Sequence, residues 1–515
     1  MKTLVLILGD QLWLGSPALK RARETGAKIL MVEATDEATY IPQHKMRLVL
    51  FFSAMRHFRQ ALEDEGFDVT YSELTDSDTC ASIADELGRQ IEAESIERVV
   101  CVTPGDARVG AAIKDVCSQA EVELEALDDT HFISTVKDFR DHAEGRKSLI
   151  MEYFYRELRK RTGILMDGGD PIGGQWNFDS DNRDTFGKDG PPDIPPPIAF
   201  EPDAITREVI EMVEERFADA PGKLENFAYP VTAGDAEKAL DDFIENRLPH
   251  FGKYQDAMVT GEAFLYHSRL STSLNLHLLD PRDAINAAVK AYEDGDAPLN
   301  SVEGFVRQIL GWREFIRGIY WTKMPDYAEM NGLGADQDMP AFFWTGETDM
   351  VCVKDAVTQL NDHAYAHHIQ RLMVLGLFAM LLGARPYDVH RWHMSMYADA
   401  IDWVSLPNVL GMSQHGDGGI VGTKPYSASG NYINKMSNYC KDCRFKPGKA
   451  TGDDACPFTT LYWDFLDRNR DAFKSNHRMG FQMKNLDRKS DEDIDAIRVR
   501  AEGLKETFTE KTYLM

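Results

Sequence analysis

The chain has 515 residues, 43% hydrophobic and 10% aromatic, a composition that fits a folded protein of roughly two to four domains and excludes intrinsic disorder. It holds no apolar run of the ~18 residues that a membrane-spanning helix requires. A formal charge of −27 argues against a surface that binds polyanions everywhere, so any locally basic segment is informative.

The opening Met1-Lys2-Thr3-Leu4-Val5-Leu6-Ile7-Leu8-Gly9-Asp10 mimics a short signal peptide but lacks a small-residue cleavage site. It reads as a first core strand, and the protein as cytoplasmic with mostly reduced thiols. Across residues 1–130, apolar runs at Leu4–Leu8, Ile29–Val32, Val69–Ser72, Val99–Thr103 and Val122–Leu127 predict strands. Amphipathic stretches 45–65 and 106–119 lie between them. Such alternation predicts an α/β domain with a doubly wound parallel sheet, binding ligands at the carboxyl ends of its strands. The first of those ends carries Gly9-Asp10-Gln11-Leu12 in place of a Gly-x-Gly-x-x-Gly turn, so an ordinary dinucleotide site is not indicated. Asp10 is either a ligand contact or a plain helix cap.

Residues 165–202 are rich in Gly, Asp and Pro, ending in Gly190-Pro-Pro-Asp-Ile-Pro-Pro-Pro197, and read as a connection. The expected division is an α/β domain at 1–135, a connection at 136–204 and a large all-α domain at 205–515. Within the last, Leu372–Leu382 is apolar nearly all round and predicts a buried central helix.

The helical half concentrates the chemistry. Tyr254 and His267-Ser268-Arg269-Leu270-Ser271-Thr272-Ser273 offer hydroxyls and a guanidinium at a helix start. This set suits a pyrophosphate, although hydroxyls there are more often plain caps. Gln308 and Trp312-Arg313-Glu314-Phe315 share one helical stretch. His367-His368-Ile369-Gln370-Arg371 opens the buried helix, and Tyr397-Ala398-Asp399-Ala400-Ile401-Asp402-Trp403 follows. Arg371 needs a carboxylate, for which Asp399 is the preferred partner. Of two adjacent histidines at a helix start, one is usually structural and one exposed, and set among so many aromatics at least one suits acid–base work. Trp344, Trp392, Trp403 and Tyr432 either fill the core or carry electrons.

Cys440-Lys441-Asp442-Cys443 is followed after twelve residues by Cys456-Pro457, and Cys352 is the other cysteine of the C-terminal two-thirds. Thiolates so spaced suit zinc or an iron–sulfur cluster, and a proline after the last cysteine favours the cluster. Cys80, Cys101 and Cys117 belong to the N-terminal region. Segments 431–449 (Lys435, Lys441, Arg444, Lys446, Lys449 against Asp442, +4) and 468–489 run against the average charge. The second carries Arg468, Arg470, Lys474, Arg478, Lys484, Arg488 and Lys489 against Asp471 and Asp487, a local +5. Each is either a nucleic-acid contact or a solvated face.

Gly-Asp-Gln-Leu at 9–12, Ser-Arg-Leu-Ser at 268–271, Trp-Arg-Glu-Phe at 312–315, His-His-Ile-Gln-Arg-Leu-Met-Val at 367–374 and Leu-Pro-Asn at 406–408 together resemble the photolyase/cryptochrome family. With the four cysteines, the chain resembles its iron–sulfur bacterial branch, the prokaryotic (6-4) photolyases and related cryptochromes. The resemblance spans nearly the whole chain. It implies an N-terminal antenna domain and a C-terminal domain holding FAD through Tyr254, Ser268, Arg269, Leu270, Ser271, Gln308, Arg313, Arg371 and Asp399. It further implies a 4Fe–4S cluster on Cys352, Cys440, Cys443 and Cys456. The antenna it implies is 6,7-dimethyl-8-ribityllumazine, with Asp10, Gln11 and Glu33 as contacts. Trp392, Trp344 and Tyr432 take the place of the electron relay, and His368, beside His367, that of the lesion's proton donor.

The implied activity is light-driven repair of (6-4) pyrimidine photoproducts in DNA, with the two basic segments on the phosphates. A blue-light receptor using the same flavin is the alternative, and a zinc-stabilised DNA-binding module the third reading. Two departures stand out. Leu372 occupies the position of a second histidine found in animal (6-4) enzymes, and Ser405 falls near flavin N5 where ordinary photolyases have asparagine. The strong acidity also implies repulsion from DNA that Mg²⁺ or salt would relieve.

Overall fold

The computed structural model describes residues 1–75, 81–187 and 190–509. Five parallel strands, β1 (Thr3–Leu6), β2 (Lys28–Val32), β3 (Val69–Ser72), β4 (Arg98–Val102) and β5 (Glu123–Leu127), form one sheet in the order β3-β2-β1-β4-β5. Val5 pairs with Ile29 on one side and Val100 on the other. Aliphatic residues fill both faces of the central strands, as burial under helices on both sides demands. Cys101 and Cys117 are buried in that packing, whereas Cys80 lies outside the described residues. Chain order reverses between β1 and β4, which opens a crevice beyond their carboxyl ends. The predicted strands agree with these to within two residues at either end.

From Ala204 onward the long elements are helices, so the α/β plus all-α reading stands. The expected central helix is there, running from His368 to Leu382, with every residue from Leu372 to Leu382 buried. Three segments, Arg307–Arg313, Arg371–Gly376 and Pro407–Ser413, wind as π-helix, the wide turn that tends to occur at functional sites. Helices Val136–Ala143 and Met151–Thr162 pack on the helical half. Phe139 lies so close over Gly318 that a Cβ there would fall 2.1 Å from its ring, which fixes glycine at that position. Between 163 and 203 the described chain holds only a two-residue-strand hairpin and short turns, consistent with its Gly/Pro composition.

The two halves are stitched together around the crevice. Trp403 N–H donates to Gly105 O at 3.0 Å, Leu12 N–H to Leu276 O at 3.0 Å, and His44 N–H to Ser395 O at 2.7 Å. Glu314, fully buried, accepts from Ile133 N–H and from the Ser134 N–H and hydroxyl.

Candidate functional site

The first centre is built from the cysteines. Cys352 lies in helix Val351–His363, Cys440 in the turn Tyr439–Lys441, Cys443 in the loop beyond it, and Cys456 at the cap of helix Pro457–Arg468. All four line one small cavity, closed by Met350, Ile433, Tyr439, Phe445 and Phe458. The backbone at Gly430 comes so close that a Cβ would sit 2.8 Å from the Cys456 sulfur. Burial and the neighbouring sulfurs push the thiols up, Cys440 to about 12. Thiolates here therefore need a cationic centre to offset their charge. Among the described residues, no group of three or more His, Cys, Asp or Glu side chains is arranged to hold a metal ion.

The second centre surrounds Arg371. Its guanidinium pairs with Asp399 at 2.9 Å, donates to Ala366 O, and lies 4.2 Å over the Tyr397 ring. Burial raises the Asp399 carboxyl, but Arg371 and a bond from Ser271 outweigh it and hold it below the ordinary value. The surroundings hold an unusual concentration of buried polar atoms with no protein partner: His267 Nε2, Arg269 Nε, the Thr272 and Ser273 hydroxyls, both ring nitrogens of His367, Tyr397 OH and Ser405 Oγ. Each orphan costs about 1–3 kcal/mol unless something bonds it, so the set fits a large polar ligand. Arg269 adds a left-handed backbone (φ 58°), an unfavourable geometry for a side-chain-bearing residue that tends to persist at ligand clamps.

The histidine pair divides as expected. His367 is buried and stacks on His267 at 4.5 Å, while His368 is exposed to the open side of the site. Enclosure by protein and the Arg371 charge lower His368 to about 4, so its imidazole is neutral at pH 7 without ligand. Tyr254 stacks between Phe186 at 4.4 Å and Tyr266 at 5.7 Å. Ser268 Oγ accepts from Leu270 N–H, and Leu270 is buried. Gln308 is exposed, its amide donating to Gly304 O.

Arg313 also keeps two buried nitrogens, Nε and Nη1, with no hydrogen-bond partner in the protein. It points toward the N-terminal half, bonding His131 Nδ1 at 3.1 Å and covering Phe132 at 3.9 Å. His131 in turn stacks on His277 at 3.9 Å, beside Asp129. Trp392 is buried, edge-on to Tyr397 with the ring centres 5.8 Å apart, and touches Phe343, the neighbour of Trp344 in sequence. Tyr432 is half-buried, in the field of Asp256 and Arg183. Tyr397 was readable only as one aromatic among many. His393, stacked on it at 4.2 Å, and Asp256, pushed up to about 6 by burial, had no sequence signal.

The third space is the crevice itself. Leu8, Phe51, Phe52, Met55, Val109, Met394 and Ile401 wall a cavity that also presents Asp10, Glu37, Tyr40, Arg47, Asp106 and Asp402. Asp10 is thus on the wall. Gln11 and Glu33 are not among the lining residues. Gln11 donates to Thr103 O at 3.0 Å. Glu33 is fully buried, clasped by Arg56 at 2.7 and 3.0 Å and accepting from Tyr71 OH and Leu74 N–H. Its oxygens are spent on the fold, which corrects the expectation that it meets a chromophore.

The comparisons with known proteins agree with this layout. Residues 5–229 match the family model described as deoxyribodipyrimidine photo-lyase-related protein. The (6-4) photolyase of Agrobacterium fabrum is 49% identical over 481 residues, which cover 93% of this chain and 94% of that one. A bacterial class III photolyase from Agrobacterium tumefaciens matches in fold with a TM-score of 0.58 at 15% identity, over 92% of this chain and 98% of that one. The cryptochrome of Synechocystis sp. PCC6803 follows at 0.53 and 14%, over 84% and 88% of the two chains. The chain belongs to the photolyase/cryptochrome family.

Proposed function

We propose that this protein repairs (6-4) pyrimidine photoproducts in DNA under light. The observation that carries the reading is His368, an exposed imidazole beside the buried Arg371–Asp399 pair and its ring of unpartnered polar atoms. The identity to a protein named (6-4) photolyase supports it.

FAD, when bound and reduced, supplies the light-excited electron. Ser268, Arg269, Ser271 and the hydroxyls of Thr272 and Ser273 would hold its phosphates, with Arg371–Asp399 fixing the isoalloxazine edge. The neutral imidazole of His368 presents an N–H to a lesion that enters from the open side, and lesion phosphates nearby favour its protonated form. A damaged nucleotide leaves the stack more cheaply than an intact one, which suits a recessed donor. Trp392, edge-on to Tyr397, is placed to start an electron path toward Trp344.

The cysteine cavity fits a 4Fe–4S cluster better than zinc. The run Cys440-Lys441-Asp442-Cys443 with Cys456-Pro457, and Cys352 in the same cavity, supports the cluster. Iron and acid-labile sulfide in the purified protein would support the cluster, and zinc alone would remove it. The crevice cavity is the site of an antenna chromophore, 6,7-dimethyl-8-ribityllumazine by resemblance.

The decisive experiment is repair of an oligonucleotide carrying one (6-4) lesion, by reduced protein with Mg²⁺. Restoration of normal pyrimidines in blue light and none in the dark is expected. No repair by protein with photoreducible FAD would leave the blue-light receptor as the working reading.

A further inference from the structure

The imidazole of His368 forms no hydrogen bond, ion pair or ring contact among the described residues, so it stands where its backbone puts it. That backbone is the start of the central helix. His367 is the N-cap, and its N–H lies before the first turn, where no carbonyl of the helix can accept it. Gln370, three residues on, reaches back and accepts that N–H at 3.2 Å. Both residues are buried, where an N–H without a partner is costly.

The Gln370 amide is fixed in turn. Its Nε2 donates to Gln359 Oε1 at 2.9 Å and to Tyr439 OH at 3.0 Å, and its Oε1 also accepts from Gln359 Nε2 at 3.0 Å. Both N–H bonds of the amide are thus used. Turned over, it would set its NH2 group against the N–H of His367.

The two anchors belong to segments that carry cysteines. Gln359 is on the helix of Cys352, about two turns further along. Tyr439 directly precedes Cys440, and its buried ring is part of the wall of the cysteine cavity. On the other side of the same turn, Arg371 donates to Ala366 O at 2.6 Å and to Asp399 at 2.9 Å. The histidine pair is therefore held between the flavin-site ion pair and the cysteine-bearing segments.

We propose that Tyr439 is a positioning residue for repair, acting through Gln370. Its hydroxyl holds the Gln370 amide, the amide holds His367, and the place of the His368 imidazole is thereby set from the wall of the cysteine cavity. A change in that cavity that moves Tyr439 moves the lesion-facing imidazole with it.

The inference rests on His368 as the lesion's proton donor. Tyr439→Phe keeps the ring against the cavity and removes only the hydroxyl. Its FAD and metal content and its affinity for an oligonucleotide with one (6-4) lesion should match the wild type. Repair per absorbed photon should fall about tenfold, as expected for a misplaced donor. In resting protein carrying isotope-labelled histidine, the resonance that is absent from His368→Ala should shift in Tyr439→Phe. Gln370→Met should reproduce both effects. The double variant should be no worse than Gln370→Met alone, because the hydroxyl then has nothing to hold. Wild-type repair or an unmoved His368 resonance in Tyr439→Phe would overturn the inference, as would additive losses in the double variant. If Tyr439→Phe loses FAD, Gln370→Met decides by the same two readouts. A shifted resonance in protein whose wild type repairs no lesion would overturn the donor reading and uphold the linkage.

Discussion

At the scale of single residues, His368 and Asp399 carry the sharpest expectations. His368→Ala should retain FAD and lower repair about a hundredfold or more, the usual contribution of a positioned proton donor. The free imidazole titrates near 4, and bound phosphates move it upward. Repair yield should therefore fall as pH rises through the value in the complex, while flavin content stays constant. A flat profile in the wild type would remove His368 as the donor. Asp399 is the reverse case, with a folded value below its ordinary 3.8. Its contribution to stability is complete above that ordinary value and is lost as pH falls through the lower folded one. Asp399→Asn leaves the Arg371 charge without its partner. That change should cost about 3 kcal/mol in denaturant unfolding, or show as loss of FAD, because the pair is largely buried.

At the scale of elements, the cysteines come from parts of the helical half that lie far apart in the chain. Cys352 starts one helix, Cys456 caps another, and Cys440 and Cys443 lie in the intervening loop. A cluster would tie these together across roughly ninety residues, closing a loop that is costly to order. Cys352→Ala should yield insoluble protein or protein poor in iron and FAD. Soluble, fully FAD-loaded variant protein would show that packing alone holds the region. The π-helical turns matter at this scale too, since Gln308, Arg313 and Arg371 all fall on them. Gly376, on one such turn, admits no side chain, because a Cβ would lie 2.1 Å from Ser413 Oγ on another.

At the scale of the whole molecule, charge governs the encounter with DNA. Several residues of the basic segments are occupied within the protein: Arg444 pairs with Asp349, Lys449 with Asp454, Arg470 with Asp487, and Arg468 reaches the carbonyls ending the central helix. Lys474 and Lys484 form no ion pair among the described residues and are the better phosphate contacts. Lys474→Glu with Lys484→Glu should weaken binding to lesion DNA and reduce its salt dependence. Because the chain carries −27 overall, omitting Mg²⁺ should weaken the same binding. Equal affinity without the divalent ion would discard that role.

Read alone, the sequence determined what depends on local pattern and residue type. Apolar alternation gave five strands to within two residues, the all-round apolar run gave the central helix, and the electrostatic need of Arg371 named Asp399. Those inferences succeed because secondary structure and a buried charge's demand for a partner are decided over short stretches or by one strong interaction. Tertiary structure decided which groups face an opening. Glu33 looked like a ligand residue and is consumed by Arg56, Tyr71 and Leu74, while Glu37, four residues on, reaches the cavity. Arg313 turned to His131, Tyr432 joined Asp256, and Tyr397 came to lie between Arg371 and Trp392. Contacts of that kind join residues far apart in the chain, and which face of an element meets them is fixed only when the halves pack.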